Sequence, residues 1–100
     1  MIKHIVMWKL KDENEGLNKL EIAEKMKKVL EELKNNISEI ENIEAGIDIN
    51  GSEAAYDIVL YSSFKNKADL ARYQKHPEHI KVAEYIKKVT IDRAVVDYEA

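Results

Sequence analysis

Two of the three histidines, the only proline and a tyrosine fall within Tyr73-Gln74-Lys75-His76-Pro77-Glu78-His79. A neutral imidazole accepts a proton from a carbon acid next to a carbonyl, and a phenol donates a hydrogen bond to the enolate oxygen. Tyr73 and His79 are therefore the right types for acid–base work if the break at Pro77 lets them converge on one cavity. The competing reading of His79 is a packed histidine satisfied by a backbone carbonyl or by Tyr73. His76, directly before Pro77, reads as a cap or turn residue. His4 shares a strand face with Val6 and Trp8, as core or as the far wall of the same pocket. His-x-x-His across a proline lacks the helical His-Glu-x-x-His arrangement, so His4, His76 and His79 are not expected to bind a metal. With no cysteine there is no thiolate nucleophile, disulfide or cysteine-based zinc site. No glycine-rich loop leads from a strand into a helix and no serine sits in a nucleophile elbow, so no cofactor is expected.

The elements that must position these residues follow from hydrophobic spacing. Over residues 2–10, Ile2, His4, Val6, Trp8 and Leu10 alternate with Lys3, Ile5, Met7 and Lys9, which predicts a strand. The centre of both faces is apolar. Helices cover one side of a small α+β sheet, so the other side calls for a second copy of the chain. Residues 11–16 read as a polar connection. From about Asn18 to Asn36, Leu20, Ala23, Met26 (or Lys27), Leu30, Leu33 and Ile37 recur at helical steps and form a core stripe. Ile43, Ala45, Ile47 and Ile49 alternate with polar residues or glycine in a second strand, and Asn50-Gly51 predicts a tight hairpin. The third strand is expected from Ala55 to Phe64. Asn66 is placed to cap a short helix carrying Leu70 and Tyr73 inward. Pro77 suits the first position of a further helix, in which His79, Val82, Ala83 and Ile86 share one face. The last strand, Thr90 to Glu99, puts Asp92, Ala94, Val96 and Tyr98 on one side and Ile91, Arg93, Val95 and Asp97 on the other. The order is βαββαβ, the ferredoxin-like α+β fold, with the first and third strands central in an antiparallel four-stranded sheet.

One hundred residues suit one domain, spanning 1–100, with a single core. A net charge of −3, with lysines and glutamates interspersed, excludes a polyanionic partner, so no nucleic acid is expected. Nor is a membrane, since no apolar run approaches the roughly 20 residues of a span. The first residues lack a signal-peptide pattern, and a cytoplasmic setting is expected.

Lys3-His4-Ile5-Val6 opening the first strand, Tyr73 followed by His76-Pro77-Glu78-His79, and Val95-Val96-Asp97-Tyr98-Glu99 at the end resemble the stress-responsive A/B barrel domain family. The resemblance runs over essentially the whole chain. It implies a dimeric α+β barrel, two ferredoxin-like sheets facing each other with the helices outside. The family includes a plant polyketide cyclase that closes its substrate by an aldol condensation. By that resemblance Tyr73 and His79 stand at its catalytic tyrosine and histidine, and His4 at a pocket histidine. Asp57 stands where that enzyme has a further pocket histidine, a departure that leaves the substrate open.

The expectation is a homodimer whose subunits each hold a small apolar cavity for a carbonyl-containing molecule, with His79 as base, Tyr73 as donor and His4 assisting. The alternatives are a non-catalytic structural or interaction dimer and, further off, a dimeric-barrel monooxygenase or haem-related enzyme.

Overall fold

The computed structural model describes residues 1–100. Four long strands are β1 (Ile2–Leu10), β4 (Asn42–Ile47), β5 (Ile58–Phe64) and β6 (Thr90–Glu99). They form one antiparallel sheet in the order β4-β5-β1-β6, so the first and third long strands are central as the sequence predicts. Three helices, α1 (Lys19–Asn36), α2 (Lys67–Lys75) and α3 (Pro77–Val89), complete the ferredoxin-like order.

The 11–16 connection is more ordered than its polarity suggests. Glu13–Asn14 and Leu17–Asn18 pair as a two-stranded ribbon, β2 and β3, closed by Glu15 and Gly16, both at positive φ. A two-residue turn with both residues in that region matches the twist of a hairpin. The ribbon delivers Asn18 to the start of α1. There its side chain accepts from the Glu21 amide, and the Glu21 carboxylate accepts from the Asn18 amide in return. This reciprocal capping satisfies two amides that the first helical turn leaves orphaned.

Within α1 the stripe is shifted from the predicted one. Ile22, Ala23, Met26, Leu30 and Leu33 are buried, whereas Leu20 is 58% exposed. Leu20 lies at the helix start, outside the arc that faces the sheet, and Ile22 occupies the inward position instead. Lys27 and Glu31, one turn apart, bond the carbonyl and the amide of Ala45 on β4. The helix thereby satisfies backbone groups of an edge strand that would otherwise stay unpaired.

The Asn50-Gly51 hairpin requires correction. β4 ends at Ile47 and β5 starts at Ile58, joined by a longer loop in which Gly51 takes φ +71°. Asp48 accepts from the Gly51 amide and Asn50 from the Ser52 amide, so the pair makes a local turn within that loop. Ile49 therefore lies off the strand and is fully exposed. The third strand also starts later than Ala55. The Asp57 amide donates to the Trp8 carbonyl and its carboxylate accepts from the Leu10 amide, which anchors the loop to the end of β1.

The core lies between the helices and one face of the sheet. On that face are Ile2, Val6, Trp8 and Leu10 of β1, Ile58 and Leu60 of β5, and Ala45 of β4. The opposite face, with Ile5, Met7, Val59, Tyr61, Val96 and Tyr98, carries no helix.

Candidate functional site

His4 points from the centre of β1 to the helix side and is 3% exposed. Directly opposite in the β1–β6 ladder is Asp97, whose carboxylate lies 2.5 Å from His4 Nδ1. With Nδ1–H donating to Asp97, the free ring nitrogen of His4 is Nε2, and the ring is fixed against rotation. The backbone of His4 is tied as well, its carbonyl accepting from the Ser62 hydroxyl.

Tyr73 arrives from α2. The Asn66 side chain caps that helix by accepting from the Asp69 amide, and Leu70 and Tyr73 fall on its inward face as predicted. Tyr73 is completely buried and lies among three rings: Phe64 at 4.9 Å, His4 at 6.1 Å and His79 at 4.4 Å between centroids. Burial holds its phenol well above the ordinary range, only slightly offset by the nearby charge of Arg93. The hydroxyl therefore keeps its proton and is available as a donor.

The break at His76-Pro77 positions the third residue. Pro77 begins α3 where its missing amide costs nothing, and His76 caps that helix, its Nδ1 accepting from the Glu78 amide. That bond keeps His76 outside the cluster, in the capping role its sequence position suggests. Ending α2 leaves carbonyls without helical partners, and that of Gln74 accepts from His79 Nδ1 at 3.2 Å. The proton on Nδ1 leaves the lone pair on Nε2. Burial is the main cause lowering the His79 pKa from 6.5. The Gln74 bond opposes that shift, and the charges of His4, Arg93 and His76 reinforce it. At neutral pH the ring is accordingly neutral, the form that accepts a proton.

His4, Tyr73 and His79 all line one cavity of about 280 Å3 between sheet and helices. Its walls are mostly apolar: Val6, Trp8, Leu30, Leu60, Val82 and Ile86. The volume is just below the roughly 300–1,000 Å3 usual for small-molecule sites. Asp57, at the position where the resemblance implied a histidine, is elsewhere, bonded to the end of β1 and facing Lys19. Sequence reasoning missed Asp97 and Arg93. Alternation placed both on one face of the last strand, but only the register with β1 sets Asp97 against His4 and Arg93 against Trp8.

The strand order, the helices gathered on one face and the cavity beneath them define a ferredoxin-like α+β protein with one sheet face left open. The chain belongs to the Dabb family, the stress responsive A/B barrel domain, which it matches over residues 2–100. It is 29% identical to a stress-response A/B barrel domain-containing protein of Arabidopsis thaliana. That alignment takes in all of this chain but only 37% of the relative's length. A dimeric ferredoxin-like protein of unknown function from Bacteroides fragilis superposes with a TM-score of 0.87 at 38% identity, covering 99% of this chain and 95% of that one. The hydroxynitrile lyase of Passiflora edulis, at 20% identity and a TM-score of 0.80 over 97% of this chain and 90% of its own, shares the fold.

Proposed function

We propose that the protein is a cytoplasmic homodimer, one domain per chain, whose sheet–helix cavity binds a small carbonyl-containing molecule and enolises it. The observation that carries this reading is the convergence of His4, Tyr73 and His79 on one apolar cavity. His79 Nε2 takes a proton from the carbon next to the carbonyl, and the electron pair of that C–H bond moves to form the enolate. The Tyr73 hydroxyl donates a hydrogen bond to the developing oxyanion while keeping its own proton. His4, oriented by Asp97, is the second imidazole available to the enolate or to a leaving group. Return of the proton from His79 completes the cycle, or a bond to a second carbonyl carbon forms first, as in an aldol step.

The alternative, a non-catalytic dimer, calls for Tyr73 and His79 packed with no space beside them, and the cavity argues against it. Loss of α-proton exchange into a small ketone in deuterated water is the test. His79→Ala is expected to slow exchange by about 10²–10⁴-fold. An unchanged rate would remove His79 from the chemistry.

A further inference from the structure

Among the thirteen residues lining the cavity are two formal cations, Lys87 and Arg93, and not one carboxylate. The protein as a whole carries a net charge of −3, so this local balance runs against the composition. Five of the other fourteen cations are met by acids: Lys19 by Asp12 and Asp57, Lys27 by Glu31, Lys65 by Glu41, Arg72 by Asp69 and Lys81 by Glu78. Neither Lys87 nor Arg93 takes part in such a pair. Asp97, on the same face of β6 as Arg93, is engaged by His4.

We propose that Arg93, with Lys87 as a second cation of the lining, makes this cavity selective for a carboxylate-bearing carbonyl compound. The inference rests on the cavity being the ligand site, as in the function proposed above, and adds the charge of the ligand. Arg93 is exposed, at the rim, and Tyr73 is fully buried, at the floor. A guanidinium fork at the rim matches the two oxygens of a carboxylate. The apolar walls take the chain of the ligand, and a carbonyl a few bonds from the carboxylate reaches Tyr73 and His79. Arg93 is close enough to both for its charge to lower the pKa of each, so rim and floor belong to one electrostatic unit. A small keto acid satisfies the rim and the floor at once, whereas a neutral ketone leaves the rim cations unused.

Trp8, the only tryptophan, lines the cavity and reports binding by its fluorescence. Levulinate and its methyl ester differ in the charge and carry the same ketone. Levulinate is expected to bind the wild-type protein at least about tenfold more tightly, the scale of one charge-assisted hydrogen bond. Arg93→Gln, at an exposed edge-strand position, should erase that preference by weakening levulinate far more than the ester, with Lys87→Gln giving a smaller loss. Equal binding of the two ligands overturns the charge selectivity and leaves the cavity reading standing. A levulinate preference that survives in Arg93→Gln overturns the role of Arg93. Displacement of levulinate by an equal concentration of inorganic phosphate reduces the site to a general anion site and overturns the carboxylate assignment. If neither ligand perturbs Trp8, the cavity reading falls as well. Proton exchange that persists in His79→Ala removes only the catalytic step, and the binding comparison still decides this inference.

Discussion

On β1, His4, Val6 and Trp8 are at most 5% exposed, whereas Ile5 and Met7, one step along the same strand, lie on a face that no helix reaches. Composition alone does not separate the two faces, since both are apolar at their centres. They differ in what covers them. The helix side is sealed by residues distant in the same chain, so its burial contributes to folding at any concentration. The open side holds Ile5, Met7, Val59, Tyr61, Val96 and Tyr98 in a band that a single chain leaves wet. A contiguous apolar band on a sheet face marks an interaction surface. A second copy is the proposed occupant, and relatives of this fold are described as dimeric. The proposed chemistry lies on the sealed side, where burial shifts the pKa values of Tyr73 and His79.

Neighbouring residues of β5 offer the largest contrast between the faces. Leu60 is 2% exposed on the helix side, and Val59 is half-covered on the open side. Leu60→Ala should cost about 2–5 kcal/mol in chemical denaturation, through lost transfer energy and the cavity left behind. Val59→Ala should cost about 1 kcal/mol or less at low protein concentration, rising as concentration favours association. Equal costs at high dilution would break the distinction, because the open face would then be sealed without a partner. The next effect concerns assembly. Met7→Lys puts a charge at the centre of the open band, where pairing with a second copy would bury it unpartnered. Light scattering should give twice the 11.6 kDa chain mass for the wild type and a single chain for the variant, with helix content unchanged. A wild type that stays monomeric at micromolar concentration would refute the two-sided burial argument for β1.

Much of this division was legible in the residues. The alternation over residues 2–10 gave β1 and its two apolar faces, and the break at His76-Pro77 gave the boundary between α2 and α3. Those signals are local: strand alternation, a missing amide and a cap each act within a few residues. The misreadings arose where the outcome depends on distant partners. Leu20 fits a helical stripe by spacing, but which arc of α1 faces the sheet is set by packing, and Ile22 takes the inward place. Asn50-Gly51 has the composition of a tight hairpin, yet Asp57 is drawn to the end of β1 and the loop lengthens to reach it. For the site, helical spacing placed Tyr73 and His79 inward. Asp97 and Arg93 needed the β1–β6 register, a pairing of residues about ninety positions apart that periodicity does not specify.

The smallest expected effect is the dependence of stability on pH, which also distinguishes the two faces. The folded-state pKa of His79 lies below 6.5, so in that window the unfolded chain binds the proton first. Stability from this source is complete above pH 6.5 and is lost as pH falls. Glu31, lowered by its bonds to Lys27 and Ala45, adds a further loss below pH 4.5. Tyr73 is shifted the other way: above pH 10 the unfolded chain releases a proton that the folded chain retains, so stability falls as pH rises. Each group acting alone gives a slope of at most about 1.4 kcal/mol per pH unit. Thermal melts of Tyr73→Phe should show a flatter alkaline limb, not a flat one, because burial also raises Tyr85. His79→Gln should flatten the limb just below pH 6.5 and leave the Glu31 limb in place. These limbs belong to the sealed face, so they should keep their shape when protein concentration is varied. A limb that shifts with concentration would instead arise from dissociation at the open face, and the pH response would then be assigned to assembly.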